Sequence, residues 1–147
     1  MSKKEKIIIG SDHGGFDLKK IIVKYVKELG FDVEDMGCDS KGSCDYPVYG
    51  TRVAEKVANG EGRGILLCGT GIGMSIVANR NPKIRAALCH NEYTARMSRM
   101  HNNANVLVLG ARVIGAGLAL DIVDIWLKTE FEGGRHQKRL DLIDNIK

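Results

Sequence analysis

No stretch of 18 apolar residues occurs in this chain, and no apolar segment follows the polar start Met1-Ser2-Lys3-Lys4-Glu5-Lys6. Neither a membrane-spanning helix nor a secretory signal is therefore expected, and a cytoplasmic location follows as the default. There are only two prolines, and aromatic residues make up 5% of the chain. No low-complexity segment, linker or internal repeat breaks the pattern, so residues 1–147 read as one domain, long enough to bury about two-thirds of its unfolded surface. The four cysteines, at positions 38, 44, 68 and 89, are too sparse and irregular for a disulfide framework. No pair has the CxxC spacing of a zinc or redox site, and free thiols are expected. The four histidines, at 13, 90, 101 and 136, fall in four different segments without an HxxxH spacing. No metal site and no cofactor are expected from them. The net charge of +4 is mild, and there is no basic run beyond the N-terminal lysines. That argues against a nucleic-acid surface and leaves small anions as the better match.

Glycine, by contrast, is abundant, with 18 residues. Three of them organise the stretch Gly64-Ile65-Leu66-Leu67-Cys68-Gly69-Thr70-Gly71-Ile72-Gly73-Met74-Ser75, in which an apolar run is stopped by alternating glycines and followed by helix-forming residues. The pattern predicts a buried strand, a tight turn and a helix start. Unpaired N–H groups and the positive end of a helix dipole over such a turn favour an anion. The same field favours thiolate over thiol at Cys68. Cys68 also has a plain reading as a buried strand-end residue, the usual place of a free cysteine. Three known motifs fail here. The lysine of a GxxxxGK[ST] phosphate loop is absent, the glycine spacing is not GxGxxG, and Met74 stands where a Cys-x5-Arg phosphatase needs arginine.

Along the chain, strands are predicted at Lys6–Gly10, 31–35, 64–68, 84–89 and 105–109. Helices are predicted at 16–29, 48–59, from the glycine turn to Asn79, 93–100, 111–128 and 135–146. Apolar strands alternating with helices define an α/β, doubly wound, Rossmann-like fold: a five-stranded parallel sheet with helices on both faces and a C-terminal helix. Ligands of such folds bind outside the carboxyl ends of the strands. Asp12 and His13, Asp45 and Tyr46, Cys68, and His90 are the candidates there, although a lone Asp or His beside glycines also serves as a turn or cap residue. His101-Asn102 poses a geometric problem. It lies between a helix and the fifth strand, at the amino edge of the sheet and about 15 Å from Cys68 for a five-residue strand. If His101 is catalytic it must serve a neighbouring subunit; otherwise it and Asn102 cap the helix. Arg135 and Arg139, four apart on the last helix, share a face. With Arg112 they could clamp a dianionic phosphate, or they could be a solvated face.

Gly10-Ser11-Asp12-His13-Gly14-Gly15-Phe16, Asp45-Tyr46-Pro47, Cys68-Gly69-Thr70-Gly71-Ile72-Gly73, His101-Asn102 and Glu132-Gly133-Gly134-Arg135-His136, in this order, resemble the ribose-5-phosphate isomerase B family. The resemblance implies a metal-free interconversion of ribose 5-phosphate and ribulose 5-phosphate in a homodimer with shared active sites, which in turn can pair into a tetramer. It implies that Cys68, with Thr70 in its loop, forms the catalytic centre and moves a proton between C2 and C1, while His101 opens the furanose ring. Asp12, His13, Tyr46, Gly69, Gly71, Gly73 and Asn102 are implied as sugar and oxyanion contacts, and Arg112, Arg135 and Arg139 as phosphate ligands. Some relatives carry a glutamate base just after the glycine loop. Here that position is Met74, so the chain resembles the cysteine version. Two other readings stand beside this one: an isomerase of six-carbon sugar phosphates such as allose or galactose 6-phosphate, and a non-catalytic sugar-phosphate sensor. A redox role for the cysteines is a further reading.

Overall fold

The computed structural model describes residues 4–147, and the first three residues of the polar start lie outside them. Five strands, β1 (Lys6–Ser11), β2 (Asp32–Asp35), β3 (Arg63–Cys68), β4 (Ala86–Leu88) and β5 (Val106–Gly110), alternate with helices. The helices are α1 (Phe16–Glu28), α2 (Tyr46–Ala58), α3 (Ile72–Asn79), α4 (Glu92–Met100), α5 (Ala116–Lys128) and α6 (Arg135–Asp144). All strand pairs are parallel, in the order β2-β1-β3-β5-β4. The chain leaves β1 towards one edge and returns beside it as β3, so the switch point of the winding lies between β1 and β3.

The pleat explains why the strands are apolar without interruption. Ile7 and Ile9 of β1 join Ile65, Leu67, Leu107 and Leu109 on one face, against Ile22 and Val26 of α1 and Ile122 and Trp126 of α5. Ile8 joins Leu66, Val106 and Val108 on the other, against Val53 and Val57 of α2 and Met74 and Ala78 of α3. Each such side chain contributes about 1.5–3 kcal/mol on full burial. The expected doubly wound, five-stranded parallel sheet with helices on both faces and a C-terminal helix is what forms.

Most boundaries shift by one or two residues, α6 ending at Asp144 and not at 146, and three differences have a clear local reason. Helix α2 starts at Tyr46 and takes Pro47 into its first turn, where a missing N–H costs nothing. Strand β4 is three residues rather than six, and it is an edge strand. The Asn79 side chain takes up both backbone groups of Ala86, and Asn105 accepts the N–H of Arg85. Segment 111–115 is a turn rather than the start of α5, because Ala111 and Arg112 donate their N–H groups back to the carbonyls of Cys68 and Gly69, both at 2.9 Å. That tie holds Arg112 over the glycine turn.

Candidate active site

The carboxyl ends of β1 and β3 meet at the switch point. After β1, the Asp12 N–H donates to the Leu67 carbonyl, and its Oδ1 accepts the Gly15 N–H at 3.0 Å. Gly15 is required there, since a Cβ would sit 2.8 Å from that of Leu67. The buried Asp12 carboxylate is thus fixed as a cap while remaining beside the site. After β3, Cys68 is 5% exposed and its Sγ accepts the N–H of Gly71 at 3.2 Å. Gly71 is left-handed at φ 83°, and Thr70 Oγ1 accepts the N–H of Ile72 at 3.2 Å. The first intrahelical bond of α3 runs from Ser75 to Gly71. The N–H groups of Gly73 and Met74 therefore have no partner within the helix and lie at its positive end. The Met74 side chain is fully buried. Its sulfur lies 2.9 Å from where a Cβ of Gly50 would be, which directs it into the α2–α3 contact.

Two side chains close over this turn. A Cβ on Gly69 would stand 3.4 Å from Arg112 Nη1, and one on Gly14 would stand 3.5 Å from Nη2, so the guanidinium spans both glycine turns. A Cβ on Gly73 would lie 2.7 Å from the Tyr46 ring. His13 Nδ1 accepts the N–H of Cys44 at 3.3 Å. Burial, then the neighbouring Cys38, pushes the Cys44 thiol up to about 11. The loop that carries Cys44, Asp45 and Tyr46 is pinned at its start. Lys19, 2% exposed, donates to both Asp35 oxygens at 2.7 and 2.9 Å and to the Cys38 carbonyl at 2.9 Å. The Cys44–His13 contact had no signal in the sequence beyond the loop's position after β2.

One chain therefore brings together Asp12, His13, Tyr46, Cys68, Gly69, Thr70, Gly71, Gly73 and Arg112. It does not bring His101, Asn102, Arg135 or Arg139 to them. His101 closes α4 and precedes β5, whose whole length separates it from Gly110, the residue in register with Cys68. Helix α6 packs at the same amino edge. Leu140 and Ile143 line a groove of about 500 Å³ there with Asn102, Ile84 and Arg85. Arg135 and Arg139 are exposed on that helix, so the expected clamp with Arg112 does not form within a single chain. His90, at the carboxyl end of β4, is exposed. The left-handed residue after α4 is Asn103, at φ 46°, rather than Asn102.

At the amino edge the fold corrects the reading that the histidines are too scattered to form a constellation. His101, Glu132 and His136 place donor atoms within 4.8 Å of one another, a set whose chemistry would suit zinc. The two imidazoles are stacked, however, with centroids 4.2 Å apart and planes 16° apart. Ring lone pairs lie in the ring plane, so those of parallel stacked rings do not converge on one ion. The arrangement suits mutual orientation better than ligation. In the sequence His136 stands only among the four scattered histidines and in the Glu132–His136 motif, with no role assigned to it.

A doubly wound domain with a thiol, a glycine turn at a helix N-terminus and an arginine over its switch point has the architecture of a protein that holds a small anionic ligand beside a thiol. Residues 7–143 match the model of the Ribose/Galactose Isomerase family, and the chain belongs to that family. It is 50% identical to the ribose-5-phosphate isomerase B of Escherichia coli (strain K12) over 143 residues, covering 97% of this chain and 96% of that one. Among solved structures, it matches ribose-5-phosphate isomerase B of Clostridium thermocellum with a TM-score of 0.93 and 58% identity, covering 95% of each chain. It also matches the Mycoplasma genitalium enzyme solved with bound ribulose-5-phosphate, with a TM-score of 0.93 and 43% identity, covering 97% of this chain and 96% of that one.

Proposed function

We propose that this chain interconverts ribose 5-phosphate and ribulose 5-phosphate, with Cys68 as the base, in a homodimer whose sites are completed by the second subunit. The observation that carries the chemistry is the convergence of Cys68, the Gly69–Gly73 turn and Arg112 at one switch point. The relatives supply the substrate.

The reaction has three steps. His101 from the second chain takes the O1 proton of the furanose while a proton is delivered to the ring oxygen, giving the open aldehyde. Cys68, as thiolate, removes the C2 proton, and the electron pair forms the C1–C2 double bond as negative charge moves to O1. The thiol then returns a proton to C1, and loss of the O2 proton leaves the ketone at C2, with O1 protonated. The N–H groups at the start of α3 are preorganised for the enediolate, and one such donor is worth about 3 kcal/mol of barrier. Asp12, His13, Tyr46 and Asn102 position the sugar, and the phosphate, remote from the reacting carbons, anchors it. Arg112 from one chain and Arg135 and Arg139 from the other hold that phosphate.

The dimer rests on two features. Arg112 and the Arg135–Arg139 pair lie at opposite edges of one chain, so a single phosphate can meet all three only between chains. In addition, Ile72 and Ile76, four apart on α3 beside the catalytic turn, are each 55% exposed, an apolar surface of the kind a second copy covers. Among the described residues no helix is long and apolar enough to cross a membrane. We place the chain in the cytoplasm, with its phosphosugar substrates.

Conversion of ribose 5-phosphate, followed by NMR with chelator present and allose 6-phosphate as comparator, tests this reading. Ribulose 5-phosphate should form faster than the six-carbon ketose. A protein that binds the sugar phosphate without turning it over would instead be a sensor.

A further inference from the structure

His101 stands at the end of α4, where only its main chain is fixed by the helix, through an N–H to the Met97 carbonyl at 2.9 Å. Its ring orientation depends on what it touches, and it stacks on the ring of His136. His136 is buried, and its Nε2 lies 3.3 Å from Glu132 Oε2. Glu132 in turn donates its main-chain N–H to the Met100 carbonyl at 3.1 Å, which registers the carboxylate against the residue next to His101. The left-handed glycines 133 and 134 then reverse the chain so that His136, in the first turn of α6, folds back over Glu132. The result is a relay of position. The carboxylate holds the edge of one imidazole, and the face of that imidazole holds the next.

We propose that Glu132 is a positioning residue for sugar ring opening: by holding His136, it fixes the plane of the stacked His101 imidazole. An imidazole that must take a proton from one oxygen has to present one ring nitrogen within hydrogen-bond reach in the right plane. A ring free to rotate about its χ angles spends most of its time elsewhere. Carboxylate–imidazole pairs serve this orienting purpose at other sites. The inference rests on the reading of His101 as the ring-opening residue.

The substrate pair separates this role from the rest of the mechanism. Ribose 5-phosphate is a furanose and must be opened. Ribulose 5-phosphate is acyclic, because its O5 is esterified and its O4 is too close to the carbonyl to close a stable ring. Exchange of a C1 proton of ribulose 5-phosphate in heavy water therefore needs the Cys68 step and no ring opening. Glu132→Ala should lower kcat on ribose 5-phosphate about 10- to 100-fold, at or below the low end of what a general acid–base group itself contributes, because the imidazole is misplaced and not removed. It should leave C1 exchange from ribulose 5-phosphate within about threefold of wild type. Glu132→Gln, which keeps an acceptor oxygen in the same place, should recover most of the loss. The Glu132 side chain is 46% exposed, so folding should survive, and thermal unfolding checks this. Equal losses in both assays, or none in either, would overturn the proposal. Wild-type protein that exchanges no C1 proton at all would overturn the isomerase reading instead.

Discussion

The main-chain N–H of Gly71 points at the sulfur of Cys68 from 3.2 Å, so the turn that starts α3 also holds the proposed base. Gly71 adopts φ 83°, and a Cβ there would collide with Leu88 Cδ1 and lie 3.1 Å from the Leu109 carbonyl carbon. Gly71→Ala should therefore destabilise the fold by about 2 kcal/mol. It should also lower kcat more than it raises KM if Cys68 is the base, because the thiol moves and the proposed phosphate ligands do not. Urea denaturation and steady-state kinetics on one preparation check both.

Gly73→Ala addresses the other side of the turn. The added methyl meets the Tyr46 ring, which is 39% exposed and free to swing outwards. Stability should change by less than about 1 kcal/mol. The KM for ribose 5-phosphate should rise severalfold as the ring leaves its place, and Gly73→Ala combined with Tyr46→Ala should add little to Tyr46→Ala alone.

Lys19 and Asp35 test whether the loop after β2 is a working part of the site. Lys19→Met leaves Asp35 and the Cys38 carbonyl without their buried partner. Asp35 is 41% exposed and water can reach it, so the cost should be about 2 kcal/mol, less than for a fully buried pair. A urea midpoint that falls together with a raised KM would show the loop loosened; an unchanged KM would show that Tyr46 is held by α2 alone.

Cys44 offers a test through its titration. Because burial and Cys38 raise its thiol to about 11, it carries little thiolate until the pH nears that value. At pH 8, iodoacetamide should modify it about 100-fold more slowly in the native protein than in urea, where an ordinary thiol value returns. Peptide mass spectrometry gives both rates, and the gap should close as pH rises.

The alternation of Ile-rich strands with amphipathic helices was legible because burial on both faces leaves a local, periodic trace. So was the candidate catalytic turn, whose glycines, thiol and helix start are consecutive. The length of β4 was not, since Ile84 and Cys89 are as apolar as strand residues and only the Asn79 and Asn105 side chains decide where pairing stops. Ala111–Ile114 read as helix because nothing within the segment reveals that its N–H groups turn back to Cys68 and Gly69. The Glu132–His136–His101 stack joins His101 to a pair that lies 31 and 35 residues further along the chain, a relationship set by tertiary packing that spacing cannot disclose.

Sharing of sites between subunits has a direct complementation test. Cys68→Ala and His101→Ala chains should each be inactive alone. Mixed in equal amounts and allowed to exchange, half the dimers are mixed and one of their two sites is intact, so about a quarter of wild-type activity should return. Heterodimers that form without activity would mean that each chain completes its own site.

The central claim is that Cys68 carries the proton at C2. The decisive measurement is deuterium incorporation from heavy water, by NMR, when wild-type and Cys68→Ala proteins act on ribose 5-phosphate. Wild type should place solvent deuterium at C1 of ribulose 5-phosphate and at C2 of recovered ribose 5-phosphate. Cys68→Ala should still bind the sugar phosphate but exchange at least about 1,000-fold more slowly. Exchange at the wild-type rate by Cys68→Ala would contradict the account and assign the proton to another base.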